Sequence, residues 1–383
     1  MVSIRGNALI GPELEHRKDV YIEINKSGVI SDVSEKKLEA DYTLPSSIIL
    51  IPGFINGHTH VADACIKDFT YGLTLDEAVG SKGIKHSTLS SKSKYEKAES
   101  IRNSLELLIK NGFTTFIDFR EEGIEGINLL KGQLKDKPIR AIILGRPYKN
   151  DNLTDIFEQS NGFGFSDVFS LENELMAHTK NLKENNQEKL VAIHASESME
   201  VISESLTKFG KPDIEKICEY PFFDFIVHAT YSNEKDLSFL KETNTNIICC
   251  PISNLYHGLK YPPIAMIQKS GILLGFGTDN TFCCNPDPFR LMAFALYSAR
   301  SNYQEIKPID MLKTLTVNPG QIVRKKIGQI KEGFSADFLG IDLQSQNTMF
   351  SKDIFTAITM RAEPSDIVFQ MYKGAVVKWK NQK

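Results

Sequence analysis

The stretch at 48–60, IILIPGFINGHTH, reads as a buried strand that ends by delivering two histidines, His58 and His60. A strand alternates its side chains between two faces, so both imidazoles point the same way and can meet one cation. Taken alone, the pair can also be read as two surface histidines, the weaker of the two readings, and its setting separates them. Outward along the chain come seven more short apolar runs: TTFIDF at 114–119, RAIILG at 140–145, GFGF at 162–165, KLVAIH at 189–194, DFIVH at 224–228, NIICC at 246–250 and ILLGFGT at 272–278. Helical patterns separate them, and this alternation signals an α/β fold with a parallel sheet. Eight runs predict a (β/α)8 TIM barrel; GFGF, short and glycine-rich, is counted because a barrel needs an eighth strand.

The helices are well marked. Ser93 and Glu96 form a candidate capping box ahead of a helix whose Ala98, Ile101, Leu105 and Leu108 share one stripe, with Gly112 as its stop. Before residue 48 the alternating stretches VYIEI and GVISDV suggest β-hairpins, and glycine-punctuated strands return beyond about 326. Residues 1–47 plus 326–383 are therefore expected to form one β domain, and 48–325 the barrel. A length of 383 residues suits one barrel of about 250 residues with a smaller partner domain.

The charge balance, 45 Lys+Arg against 48 Asp+Glu, offers no excess of cations for a nucleic-acid backbone or an anionic membrane. The expected partner is a small-molecule substrate, with no nucleic acid and no membrane, and a homodimer is left open. No apolar run reaches the roughly 20 residues of a membrane span, and the first residues lack the order of a signal peptide, so a cytoplasmic location is expected. Six cysteines without a CxxC pair read as reduced thiols.

His194 closes KLVAIH and His228 closes DFIVH, so four of the eight histidines stand at C-terminal ends of predicted strands. That end of a barrel is where active sites are built. Asp279 follows the last strand; alone it reads as a helix N-cap, but beside these histidines it completes a three-His, one-Asp set for Zn²⁺ with a position left for water. Glu197, three residues past His194, can carry a proton without binding metal, or is a solvated loop residue. Arg146, Tyr256 and His257 are candidate rim groups, each read more readily by itself as a surface or packing residue.

The run 52–60 (PGFINGHTH), then His194-Ala195-Ser196-Glu197, Val227-His228-Ala229, Cys250-Pro251-Ile252-Ser253-Asn254 and Gly277-Thr278-Asp279, resembles the amidohydrolase superfamily in matching order. It is similar in particular to the branch of adenosine-type, S-adenosylhomocysteine, guanine and cytosine deaminases and triazine chlorohydrolases. The segment from Gly328 to Asp337 extends the likeness to that branch's β-sandwich domain. The resemblance implies that His58, His60, His194 and Asp279 bind one divalent metal, Zn²⁺ ahead of Fe²⁺ or Mn²⁺. It also implies that Asp279 takes the proton of the attacking water, that His228 faces that water and the developing oxyanion, and that Glu197 protonates the ring nitrogen beside the attacked carbon. Two-metal relatives carry a bridging lysine after strand four; here that stretch reads SDVFSLENE, which favours a single metal. The segment 61–89, with Lys67, Asp68, Lys85 and His86, departs from well-known nucleoside deaminases, as does NTFCCNPDPF after Asp279. The expected activity is hydrolytic deamination of an amino-substituted purine- or pyrimidine-type heterocycle or nucleoside. The alternatives are hydrolysis of a cyclic amide, imidazolone or carbon–halogen bond at the same site, and a barrel that binds without catalysing.

Overall fold

The computed structural model describes residues 1–36, 39–80, 83–148 and 151–380. Its centre is a parallel sheet in which Phe54–His60, Phe113–Arg120, Arg140–Gly145, Gly162–Phe165, Leu190–Ala195, Phe225–His228, Asn246–Cys249 and Leu274–Phe276 pair in chain order. Asp279–Asn280 then pairs back onto Phe54–His60, with Asp279 opposite Thr59 and Asn280 opposite His60. Leu274–Phe276 and Asp279–Asn280 are consecutive segments of one run of chain, so the sheet curls round to its first strand as in a TIM barrel. Gly162–Phe165, the shortest of the expected runs, pairs along four residues with Leu190–Ala195.

Both faces of these strands are buried, as parallel sheets require. Phe225 and Val227 share an inner apolar cluster with Leu190, Ala192, Ile117 and Phe119. Their alternates Ile226, Val191 and Ile193 pack outward in the layer that also holds Ile101, Leu105 and Leu108 of the helix Lys94–Lys110. That helix starts on the expected box: Glu96 N–H donates to Ser93 Oγ at 3.2 Å, and Ser93 N–H donates to Glu96 Oε2 at 2.9 Å. It stops at Gly112, whose φ of +91° a side chain would resist.

The run 48–55, read as one strand, is two. Ile48–Pro52 belongs to a second sheet, pairing with Val2–Ile10 and Phe338–Asp342, and only Phe54 onward enters the barrel. The break falls at Gly53, where a Cβ would stand 2.4 Å from the Thr114 side chain. The second sheet runs in the order Ala375–Trp379, Ile367–Tyr372, Phe338–Asp342, Ile48–Pro52, Val2–Ile10, Glu15–Ile24, Ile30–Ser34, with Tyr42–Thr43 beside Val2–Ile10. It has its own core, centred on Ile4, Ile22, Leu50, Phe338 and Phe369. The helix Ile354–Met360 lies in a region whose sequence suggested strands alone. Among the described residues no helix is long and apolar enough to cross a membrane.

Candidate metal centre and active site

The expected residues converge at the C-terminal ends of the barrel strands. Their donor atoms form two overlapping triads, His58–His60–His194 and His58–His228–Asp279, with the atoms of each triad within 4.8 Å of one another. His58 is common to both. Its Nε2 is 3.3 Å from His194 Nε2 and 3.3 Å from Asp279 Oδ1, and His60 Nε2 is 3.6 Å from the same Asp279 oxygen. All five side chains are buried. Phe119 forms an apolar floor beneath them, its ring centroid 4.5 Å from His58 and 5.0 Å from His194. Above the floor, Gly277 lets the last strand approach: a Cβ there would lie 2.6 Å from the His58 backbone nitrogen.

Hydrogen bonding aims the donors. His194 Nδ1 faces the Phe165 carbonyl at 3.0 Å, and a carbonyl only accepts, so Nδ1 carries the proton and Nε2 presents a lone pair to the cluster. Burial pushes His58 down and His194 well below the ordinary imidazole range, and takes His60 to about 3, so these rings are neutral donors at neutral pH. Burial alone would push the Asp279 carboxyl up, but the His58 contact holds it well below the usual carboxylate range. Its other oxygen accepts from Ser253 Oγ at 2.6 Å. The His194 lone pair facing His58 Nε2, with His58 and His60 turned towards one anionic Asp279 oxygen, fits a divalent cation.

His228 Nδ1 lies 3.0 Å from Asn254 Oδ1, and Asn254 Nδ2 donates to Thr230 Oγ1 at 2.7 Å, which fixes the amide. The other imidazole nitrogen, Nε2, is 3.3 Å from Glu197 Oε1. Burial raises the Glu197 carboxyl. Ser196, His228, Ala229 and Asp279 all adopt left-handed φ values between 51° and 79°. Non-glycine residues in that region cost roughly 1–3 kcal/mol each and persist where the surroundings impose them. The Ser196 turn is held by Asp213, whose Oδ2 accepts from the Ser196 N–H at 2.5 Å.

Sequence reasoning assigned no role to several groups that stand here. Glu121 Oε1 lies 3.0 Å from His60 Nδ1, off the line of a strict hydrogen bond. Lys85, in the segment 61–89, is buried and contacts Glu121, Asn280 and Asp63. Asn254 and Ser253 were legible only as part of a motif. Of the rim candidates, His257 is buried and, among the described residues, neither of its ring nitrogens nor the Arg146 Nε is hydrogen-bonded, while Arg146 Nη1 stands 4.0 Å from Glu121 and the Tyr256 ring lies edge-on to His257. His86 stands close enough to Lys85, Glu121 and Arg146 to feel their charges. The six cysteines are free thiols. A groove of about 1060 Å³ between the helices Glu234–Glu242 and Ile264–Ser270 is lined by none of these residues.

The profile of the amidohydrolase family matches residues 49–378. An uncharacterised protein of Methanocaldococcus jannaschii is 34% identical over 95% of this chain and 96% of its own length. A putative aminohydrolase of Methanothermobacter thermautotrophicus is 30% identical over 99% of each chain. A 5-methylthioadenosine/S-adenosylhomocysteine deaminase of Thermococcus onnurineus is 24% identical over 97% of this chain and 92% of its own. Among solved structures, a zinc-bound adenosine deaminase from Xanthomonas campestris superposes with a TM-score of 0.87 at 16% identity, covering 99% of this chain and 93% of that one.

Proposed function

This chain belongs to the amidohydrolase family, and from that premise we propose that it is a metal-dependent hydrolytic deaminase that releases ammonia from an amino-substituted purine- or pyrimidine-type heterocycle or nucleoside. The observation that carries the reading is the placement of Glu197 Oε1 3.3 Å from His228 Nε2, beside the Asp279 cluster. A cation site needs no such carboxyl; a proton transfer to a ring nitrogen does. The aminohydrolase and deaminase relatives support the same reaction class.

His58, His60, His194 and Asp279 would hold one divalent cation, Zn²⁺ best fitting a compact set of three imidazole nitrogens and one carboxylate oxygen. When bound, such a cation supplies Lewis-acid polarisation and makes hydroxide available near neutral pH. The remaining chemistry belongs to the side chains. Asp279, anionic and held by Ser253, accepts the proton of the attacking water. His228, oriented by Asn254, faces the oxygen as it adds to the ring carbon. Glu197 delivers a proton to the neighbouring ring nitrogen and recovers one from the added hydroxyl as the carbonyl forms, and the proton collected by Asp279 leaves with the amine as ammonia, so that water and a ring amine become a ring carbonyl and NH₃. The buried left-handed turns at Ser196, His228 and Asp279 fix these groups before substrate arrives.

We place a β-sandwich domain on the segments 1–52 and 326–380, moving its inner boundary from residue 47 because Ile48–Pro52 pairs with Val2–Ile10 and Phe338–Asp342. The function is tested by offering metal-loaded protein a panel of bases, nucleosides and pterins. Ammonia released from one of them supports deamination; ring-opened or dehalogenated product without ammonia would transfer the site to cyclic-amide or carbon–halogen hydrolysis.

A further inference from the structure

Lys85 is a buried cation reaching in from the helix Ile84–Ser90, outside the barrel strands. Its side chain is 5% exposed, and Nζ donates to Asn280 Oδ1 at 2.6 Å and Glu121 Oε1 at 3.0 Å, with Asp63 Oδ2 at 3.3 Å. An ammonium has three donors and no acceptor, which suits two hydrogen-bonded oxygens and an ion pair with Asp63. The two hydrogen-bonded oxygens lead to the centre. With its Oδ1 taken by Lys85, the Asn280 amide turns Nδ2 to Asp279 Oδ1 at 3.0 Å. Glu121, whose second oxygen accepts from Arg120 Nη2 at 2.8 Å, sets Oε1 3.0 Å from His60 Nδ1. The contact is one of charge and not a linear hydrogen bond, and a carboxylate at that distance favours the proton on Nδ1, with Nε2 as the donor. The two arms meet again where His60 Nε2 stands 3.6 Å from Asp279 Oδ1.

We propose that Lys85 is a positioning residue for the metal centre, holding His60 through Glu121 and Asp279 through Asn280, and that it thereby sets the affinity of the site for its divalent cation. The proposal rests on the reading of His58, His60, His194 and Asp279 as metal ligands. A purely structural lysine would tie the segment 83–90 to the barrel and leave cation binding alone.

Zinc affinity separates the two roles without any need for substrate. Metal-free full-length protein is titrated with Zn²⁺ against a chromophoric chelator, alongside thermal melting of the metal-free form. Lys85→Met is expected to weaken zinc binding about 10- to 100-fold, the range for partners of metal ligands. Glu121→Gln, which keeps the shape and removes the charge, is expected to weaken it about 10-fold. Affinity within twofold of wild type in Lys85→Met overturns the proposal, even if the metal-free protein melts earlier. If Lys85→Met fails to fold, Glu121→Gln decides on the same twofold criterion. Wild-type protein that takes up no zinc overturns the ligand reading and this proposal with it, a result distinct from intact wild-type binding that the variants fail to change.

Discussion

Nε2 of His58 stands 3.3 Å from Nε2 of His194, nitrogen facing nitrogen, while the far side of His194 is committed to the Phe165 carbonyl. Two such nitrogens on different strands gain most from a shared cation. His194→Ala is therefore expected to lower zinc content from about one ion per chain to a small fraction. Elemental analysis after desalting measures this, and stoichiometric zinc in the variant would remove His194 from the ligand set.

Asp279 is expected to be both ligand and base. Asp279→Asn keeps the shape and the approach of Ser253 but cannot accept a proton, so kcat should fall by at least about 10³. Circular dichroism and melting of the metal-free variant should stay near wild type. Turnover within tenfold of wild type would assign the base elsewhere.

Asn254, held by Thr230, reaches the proposed catalytic groups through the 3.0 Å contact at His228 Nδ1. Asn254→Ala frees the ring to rotate, and kcat should drop about 10- to 100-fold with little change in zinc content. A change in KM only would mean that Asn254 touches substrate instead.

Gly277 leaves room for His58. Gly277→Ala puts a methyl 2.6 Å from the His58 backbone nitrogen and 2.7 Å from its Cβ, a clash that costs on the order of 1–3 kcal/mol and displaces the residue that carries the imidazole. Weaker zinc binding together with an earlier melt is expected, and unchanged affinity would show that the ring does not depend on this approach.

Asp213 gives a pH signature. Burial raises its carboxyl from 3.8 to about 6. Between those values the unfolded chain ionises while the folded one holds its proton, so the stabilisation is complete below about pH 4 and lost as pH rises through 6, by about 3 kcal/mol. Asp213→Asn does not titrate. Its stability relative to wild type should rise between pH 4 and 7, as read by denaturant unfolding at each pH, and a constant difference would exclude this linkage.

Much of the barrel and the cluster could be read from residues because period and position agree. His194 follows Leu190 and Ala192 on the inward face, so alternation alone aims it. His228 shows where alternation stops: Phe225 and Val227 are the inward residues, and His228 joins the site through a φ of 79°, a backbone turn with no marker in the side-chain pattern. Gly53 divides what looks like one apolar run, because the strand before it finds partners nearly 300 residues away in Phe338–Asp342. Lys85 and Glu121 were illegible for the same reason. A lysine and a glutamate in polar segments look solvated until the fold brings them within 3.0 Å of each other beside His60.

The central claim is one cation held by four named side chains, and anomalous diffraction at the zinc edge from crystals of zinc-loaded protein tests it most directly. A single ion per chain is expected, with His58 Nε2, His60 Nε2, His194 Nε2 and an Asp279 oxygen each at about 2.0–2.2 Å. An ion lying elsewhere, or bound without Asp279 or without one of the three histidines, would contradict it.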